Sequence, residues 1–328
     1  MSAEMVSPAV VPQVPRWVHC FAVVTACATL CLIFVGGLVT STASGLAVPD
    51  WPLSFGQVFP PMVGGVLYEH GHRLVAAFVG VLTVTLAVLL SHWEPRAWVR
   101  RLGWSALATV LIQGSLGGLT VLLRLPTSVS VAHACLAQVF LCLTVTLAVC
   151  TSPRWLASQL VGVDTAVVSL RMLTRLTVGL VFIQLILGAL MRHTGAGLAI
   201  PDFPLALGRV IPPLLSQGVL IHFLHRLGAL LVAIAMVWTV ARVLNAFGHE
   251  TQLRRPALGL LALLVLQLTL GALTIWTQRA VTPMTAHVAV GAAVLATSVM
   301  LALRTTRLVG PRISKAQTQT LISEQVTA

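Results

Sequence analysis

Residues 44–61 read SGLAVPDWPLSFGQVFPP, and residues 196–213 read AGLAIPDFPLALGRVIPP, 152 positions later. Proline fixes φ and removes a backbone donor, and glycine favours tight turns, so neither stretch is a helix. A shaped loop written twice implies that the element beneath it is also written twice. The likeness does extend outward. Between 36–62 and 188–214, fourteen of twenty-seven positions are identical. His-Arg-Leu at 72–74 returns at 225–227, an offset of 153. QGSLGGLT at 113–120 returns as QLTLGALT at 267–274, and His133 returns as His287, both at an offset of 154. The halves therefore correspond element by element.

Between these landmarks the chain is apolar. Hydrophobic residues make up 57% of its 328 positions and charged residues only 9%, against about a quarter in a soluble domain. About 20 apolar residues cross a bilayer as a helix. Eight such runs occur, at 17–39, 70–91, 102–123, 131–150, 173–191, 219–241, 256–276 and 284–304. They do not alternate as barrel strands would, and backbone groups in hydrocarbon must be satisfied within the segment, so helices are expected. With four spans per half, the halves run parallel, related by a pseudo-twofold axis along the membrane normal. The expected fold is an all-α integral membrane protein of eight transmembrane helices in two tandem four-helix bundles. Residues 17–150 form the first bundle and 172–305 the second, joined by a cytoplasmic linker at 151–171. A cytoplasmic N-terminus (1–16) and a polar tail (306–328) complete it.

The net charge of +12 is a topology signal. Fourteen of the twenty basic residues fall on the side of the termini: Arg16, Arg96, Arg100, Arg101, Arg154, Arg171, Arg175, Arg242, Arg254, Arg255, Arg304, Arg307, Arg312 and Lys315. The positive-inside rule places that side in the cytoplasm. The partner implied is membrane lipid, with no nucleic acid. The first sixteen residues, with one Arg, one Glu and three prolines, differ from a cleaved leader or transit peptide, and a bacterial plasma membrane is the expected location. The six cysteines fall in the first and fourth spans, away from the outer loops where a disulfide would form, and read as apolar packing residues.

The repeat also sorts the ten histidines. His72 pairs with His225, and His133 with His287. His19, His70, His92, His193 and His249 have no counterpart. The paired histidines open even-numbered spans near the outer surface, at one depth within each half. Ionisable groups inside a membrane are costly and usually functional. Two readings stand: hydrogen bonds between helices, or axial ligation of a haem iron by two histidines within each bundle. Arg73 and Arg226 follow a paired histidine directly. They suit carboxylates such as haem propionates, or simply reach toward the interface. Asp50 and Asp202 in the outer loops either support lids over the two sites or cap turns.

One difference between the halves stands out. The first reads EHGHR, with Glu69 three residues before His72; the second reads HFLHR, with His222 in that place. Residues three apart share a helix face, so a carboxylate lies beside one histidine site and not the other. A carboxylate there can move protons. Only the first half is thus equipped for chemistry, and the second reads as a plain cofactor site. There is no P-loop, no GxGxxG after a strand, no HExxH and no CxxC.

The ordered set of eight spans, PDWPL loop, Glu-x-x-His-Arg on the second span and single histidines on the fourth and eighth resembles the haem A synthase family. The resemblance implies oxidation of the C8 methyl of haem O to a formyl group by successive hydroxylations, giving haem A for terminal oxidases. It implies haem b as cofactor on His225 and His287, with Arg226 and His222 in support. It places substrate haem O near His72, His133 and Arg73, with Glu69 needed for turnover. An electron donor, a haem O-producing farnesyltransferase and oxidase assembly factors are the partners it implies. Some members carry a cysteine pair flanking the PDWPL element; here Val48 and Ser54 flank it, so no disulfide-dependent step is expected. Rival readings are a two-haem electron-transfer cytochrome, a haem carrier and a secondary transporter.

Overall fold

The computed structural model describes residues 14–213 and 216–311. Expectations for residues 1–13 and 312–328 lie outside the described residues. The long helices are α1 (Arg16–Ser41), α2 (Gly65–Trp93), α3 (Ala97–Leu122), α4 (Thr127–Cys150), α6 (Leu170–His193), α7 (Gln217–Phe247), α8 (Thr251–Trp276) and α9 (Val281–Leu308), with a single turn α5 (Pro153–Leu156) after α4. All eight long helices are apolar and long enough to cross a membrane, and the protein is a multi-pass helical membrane protein. Each expected span lies within one of them except at residue 123, just past the end of α3. The largest extension is at the end of α7, where Arg242 to Phe247 continue the helix past the apolar run.

Local chemistry sets the ends. Ser169 and Ser216 cap α6 and α7 by accepting the backbone N–H of Met172 and Val219, satisfying donors that a helix start leaves unpaired. Pro15 and Pro126 precede α1 and α4. Pro256 lies inside α8 and cannot donate to the carbonyl of Gln252. Arg304 of α9 takes that carbonyl instead, at 3.0 Å.

In the first half α1 packs on α2 and α4, and α3 packs on the same two, closing a ring of four helices. In the second half α6 packs on α7 and α9, and α8 closes the ring in the same way. The rings meet where α9 lies against α1 and α4, and α4 against α6. Gly37 of α1 permits close approach there, facing Thr285 and Val288 of α9, as small residues do between membrane helices. Large apolar side chains such as Phe78, Leu111, Ile234 and Val265 stay exposed on the outer faces, which suits a lipid surround.

The linker at 151–171 is more structured than its composition suggested. Strand β1 (Gly162–Val163) pairs in parallel with β2 (Val309–Gly310), which follows α9 directly. Buried Asp164 accepts the backbone N–H groups of Ala166 and Leu170 and pairs with Arg242 at 2.9 Å. The described part of the expected tail, 306–311, is therefore the end of α9 and a paired strand. Backbone pairing between segments so far apart in sequence leaves no local pattern to read.

Candidate functional site

The paired histidines sit about two turns inside their helices: His72 in α2, His133 in α4, His225 in α7 and His287 in α9. Each ring rests against a glycine of the preceding long helix. A Cβ at Gly36, Gly117, Gly188 or Gly271 would lie 3.1 to 3.2 Å from Cε1 of His72, His133, His225 or His287 respectively. These glycines are the first residue of the repeat and the fifth residue of QGSLGGLT and QLTLGALT, so the pattern that revealed the repeat also held the cradles. The rings of His225 and His287 lie with centroids 6.5 Å apart and planes at 68°. His72 and His133 lie within electrostatic reach of each other.

Glutamines hold three of the four rings. Gln113 of α3 contacts His133 Nε2 at 3.3 Å and donates to its carbonyl at 2.9 Å. Gln267 of α8 contacts His287 Nε2 at 3.4 Å. Gln184 of α6 lies 3.1 Å from His225 Nδ1 and donates to its carbonyl at 2.8 Å. Gln113 and Gln267 are the same repeat position, whereas Gln184 corresponds to Leu32. Space for Gln184 comes from Gly228, where a side chain would collide with its amide; the first half has Val75 in that place. Both rings of the second pair thus carry an amide partner, and only one of the first. Sequence reading passed over these glutamines because an uncharged amide in an apolar helix resembles a packing residue.

The loops close over each histidine pair. In the first, Ser54 and Gln57 form an antiparallel bridge around Phe55 and Gly56, both at positive φ; in the second, Ala206 and Arg209 do so around Leu207 and Gly208. Positive φ at both central residues is what a two-residue hairpin turn of this hand requires. Asp50 accepts the N–H of Phe55 and Gly56 at 2.7 and 2.9 Å, and Asp202 those of Leu207 and Gly208 at 2.7 and 2.8 Å. These aspartates cap turns. Donation from Gly56 and then Phe55 holds the Asp50 carboxyl below the usual carboxylate range, and Gly208 and Leu207 do the same for Asp202.

Arg73 and Arg226 tie the loops down. Arg73 donates to the carbonyls of Val48, Asp50 and Leu53 at 3.2, 2.8 and 2.9 Å. Arg226 donates to those of Ile200, Asp202 and Leu205 at 3.1, 2.6 and 2.7 Å, and its Nε is buried without a partner. Glu69 is 4% exposed and accepts the N–H of Val48 at 2.8 Å while pairing with Arg73 at 2.7 Å. His222 stands in the same relation to the second loop, its Nδ1 accepting the N–H of Ile200 at 3.3 Å. Carboxylate and imidazole are thus exchanged at one structural position. His70, set aside for want of a counterpart, is buried and hydrogen-bonds Ser54 at 2.8 Å; the second half has Phe223 and Ala206 there.

The Nδ1 atoms of His72, His133 and His287 are buried without a partner. No group of three or more His, Cys, Asp or Glu side chains that could hold a bare metal ion occurs among the described residues. Two imidazoles per ring suit instead an iron that brings four ligands in its own macrocycle, and the residues present fit haem. The six cysteines are free, with Cys20, Cys27 and Cys31 exposed on α1.

Eight apolar helices around buried imidazole pairs define a multi-pass membrane protein with paired intramembrane histidines. The chain belongs to the COX15-CtaA family of cytochrome oxidase assembly proteins, whose family model matches residues 64–299. It is 35% identical over 254 residues to a Heme A synthase of Symbiobacterium thermophilum, covering 74% of this chain and 81% of that one. It is 29% identical over 303 residues to a Heme A synthase of Geobacillus kaustophilus, covering 88% and 92%. A Heme A synthase of Shewanella oneidensis is 27% identical over 283 residues, covering 74% and 83%.

Proposed function

We propose that this protein is a haem A synthase, an oxidoreductase that converts haem O to haem A by successive hydroxylations of the C8 methyl, the geminal diol losing water to leave the formyl group. The observation that carries the reading is the buried histidine pair in each helix ring, with a carboxylate beside the first pair only. In this reading His225 and His287 hold haem b as the resident cofactor, with Gln184 and Gln267 fixing their rings as outer partners do for metal-bound histidine. That haem supplies redox chemistry at its iron when bound. His72 and His133 position the haem O substrate. His72 lacks a glutamine partner, which suits a site whose occupant must leave.

Glu69 acts at the substrate half, beneath the first loop. Its carboxylate accepts one backbone N–H and one guanidinium donor, which fix its position. A carboxylate held there can stabilise positive charge developing at the substrate methyl carbon or accept a proton released from it. The loops exclude water from above, and Arg73 and Arg226 hold them shut.

We further propose that the two rings are pseudo-twofold related bundles, 17–150 and 172–305. The basic linker side then faces the cytoplasm, and both haem sites lie toward the outer surface. An electron donor, a haem O-producing enzyme and oxidase assembly factors are the partners this role calls for.

The deciding experiment is haem extraction and chromatography on protein purified from a host that makes haem O. Haem B together with haem O, a hydroxylated intermediate or haem A supports one cofactor site and one substrate site. Haem B alone, at two per chain, refutes the synthase and indicates an electron-transfer cytochrome.

A further inference from the structure

Where the two halves share a backbone but differ in charge, the difference marks what one half alone must bind. Gly188 of α6 abuts the His225 ring, and Arg192 lies four residues on, one turn nearer the loop on the same face. Arg192 Nη2 donates to Gly37 O at 2.9 Å and Ser41 Oγ at 2.7 Å across the ring interface. Its Nε is buried without a partner. None of the three ion pairs among the described residues includes it. Arg279, in the turn between α8 and α9, packs over Gly197 with its Nε 3.8 Å from where a Cβ would sit. It lies close enough to Arg192 for their charges to interact, and Arg192 is likewise within reach of His287.

The first half has the same frame without the charges. Thr40 follows Gly36 by one turn and turns its hydroxyl back to Gly36 O at 3.2 Å. Leu125 takes the place of Arg279: its side chain lies 3.3 Å from the Cβ position of Gly45, the counterpart of Gly197. Both are left-handed, with φ of 60° and 67°, and both donate backward, to Thr120 and Thr274 respectively. The equivalence is therefore structural, and only the side chains differ.

Two cations beside a buried imidazole pair, one with an unpartnered buried Nε and neither in an ion pair among the described residues, favour an anion between them. We propose that Arg192 and Arg279 bind the propionate carboxylates of the haem held by His225 and His287. Thr40 and Leu125, unable to do so, leave the haem of the first ring exchangeable. The inference rests on the haem reading above and adds the physical basis for one resident and one transient haem. Arg73 and Arg226, the arginines adjacent to the histidines, spend their terminal nitrogens on loop carbonyls.

The test uses the purified full chain with R192Q, R279Q and the double variant. Haem B per chain, its transfer rate to apomyoglobin and its midpoint potential are measured. Each single variant should speed transfer several-fold and the double by about tenfold or more, because charge-assisted bonds are lost. The potential should move negative, since a nearby cation favours the ferrous state. S41A removes one of the two interfacial bonds of Arg192 but keeps the charge, and R124Q removes a cation of the first ring; both should behave as wild type. A double variant with unchanged transfer and potential overturns the inference. So does S41A matching R192Q, which would make Arg192 purely structural. An effect confined to nanodiscs containing phosphatidylglycerol, absent in phosphatidylcholine, identifies a lipid headgroup as the anion and also overturns it. Wild-type protein without haem in either ring would instead defeat the haem reading itself.

Discussion

At the scale of single residues, the site is a set of imidazoles lying on glycines. A methyl group on Gly188 would stand 3.1 Å from His225 Cε1, so the ring must shift by a few tenths of an ångström. G188A should therefore perturb the absorption and midpoint potential of the bound haem while leaving the helix intact, because alanine is the better helix former. Unaltered spectra would show that the cradle does not set the ring. For Glu69 the decisive change is E69Q, which keeps an acceptor for the Val48 N–H but removes the charge facing Arg73. Haem B content should stay at the wild-type level while formyl product falls by about a hundredfold or more; normal haem A output would reject the assigned role. The histidines and Glu69 were legible because charge is rare in this chain. The glycines and Gln184 were not, because a missing side chain or a neutral amide acquires meaning only from what faces it.

At the scale of elements, the two repeated loops are held by the same devices: an aspartate over a hairpin turn and an arginine threaded onto loop carbonyls. The aspartates also set a pH dependence. A carboxyl held below its ordinary value stabilises the fold above the unfolded pKa, and that contribution disappears as pH falls through the folded pKa. The loops should therefore keep their form from neutral pH down to about 4 and loosen only below it. Trp51 reports on this directly, since its ring packs against Gly118 of α3. Its fluorescence should be flat between neutral pH and that limit and change below it, and D50N should remove the transition. A transition near pH 6 would point to a histidine instead. The long helices were readable from apolar length alone; the hairpin was not, because its two left-handed central residues include Phe55 and Leu207, which carry no turn signature.

At the scale of the whole molecule, two rings share an interface, and the proposed function divides the tasks between them. H225A/H287A should abolish tightly held haem B, whereas H72A/H133A should retain it and lose haem O binding. Equal loss from both, measured by extraction and chromatography, would show that the rings are not divided as proposed. At the end of the molecule away from the repeated loops, the linker is tied to both α7 and the strand after α9. Asp164 is 5% exposed and paired with Arg242, so D164A should cost about 3 kcal/mol by leaving a partly buried cation without its partner. Thermal unfolding in detergent should show a lowered midpoint, and an unchanged one would mean that the linker adds nothing to stability.

The sequence by itself determined the eight spans, the internal repeat, the four paired histidines and the exchange of Glu69 for His222. Each of these is a matter of composition, spacing or self-comparison. Tertiary structure decided what those residues touch. It placed Arg73 and Arg226 on loop carbonyls, Arg192 across the ring interface with its own Nε unpartnered, and Gln184 in the space left by Gly228. Such facts depend on distances between helices far apart in the chain. Apolar length fixes which segments enter the membrane but not which side chains meet, because packing partners are chosen only when the rings close.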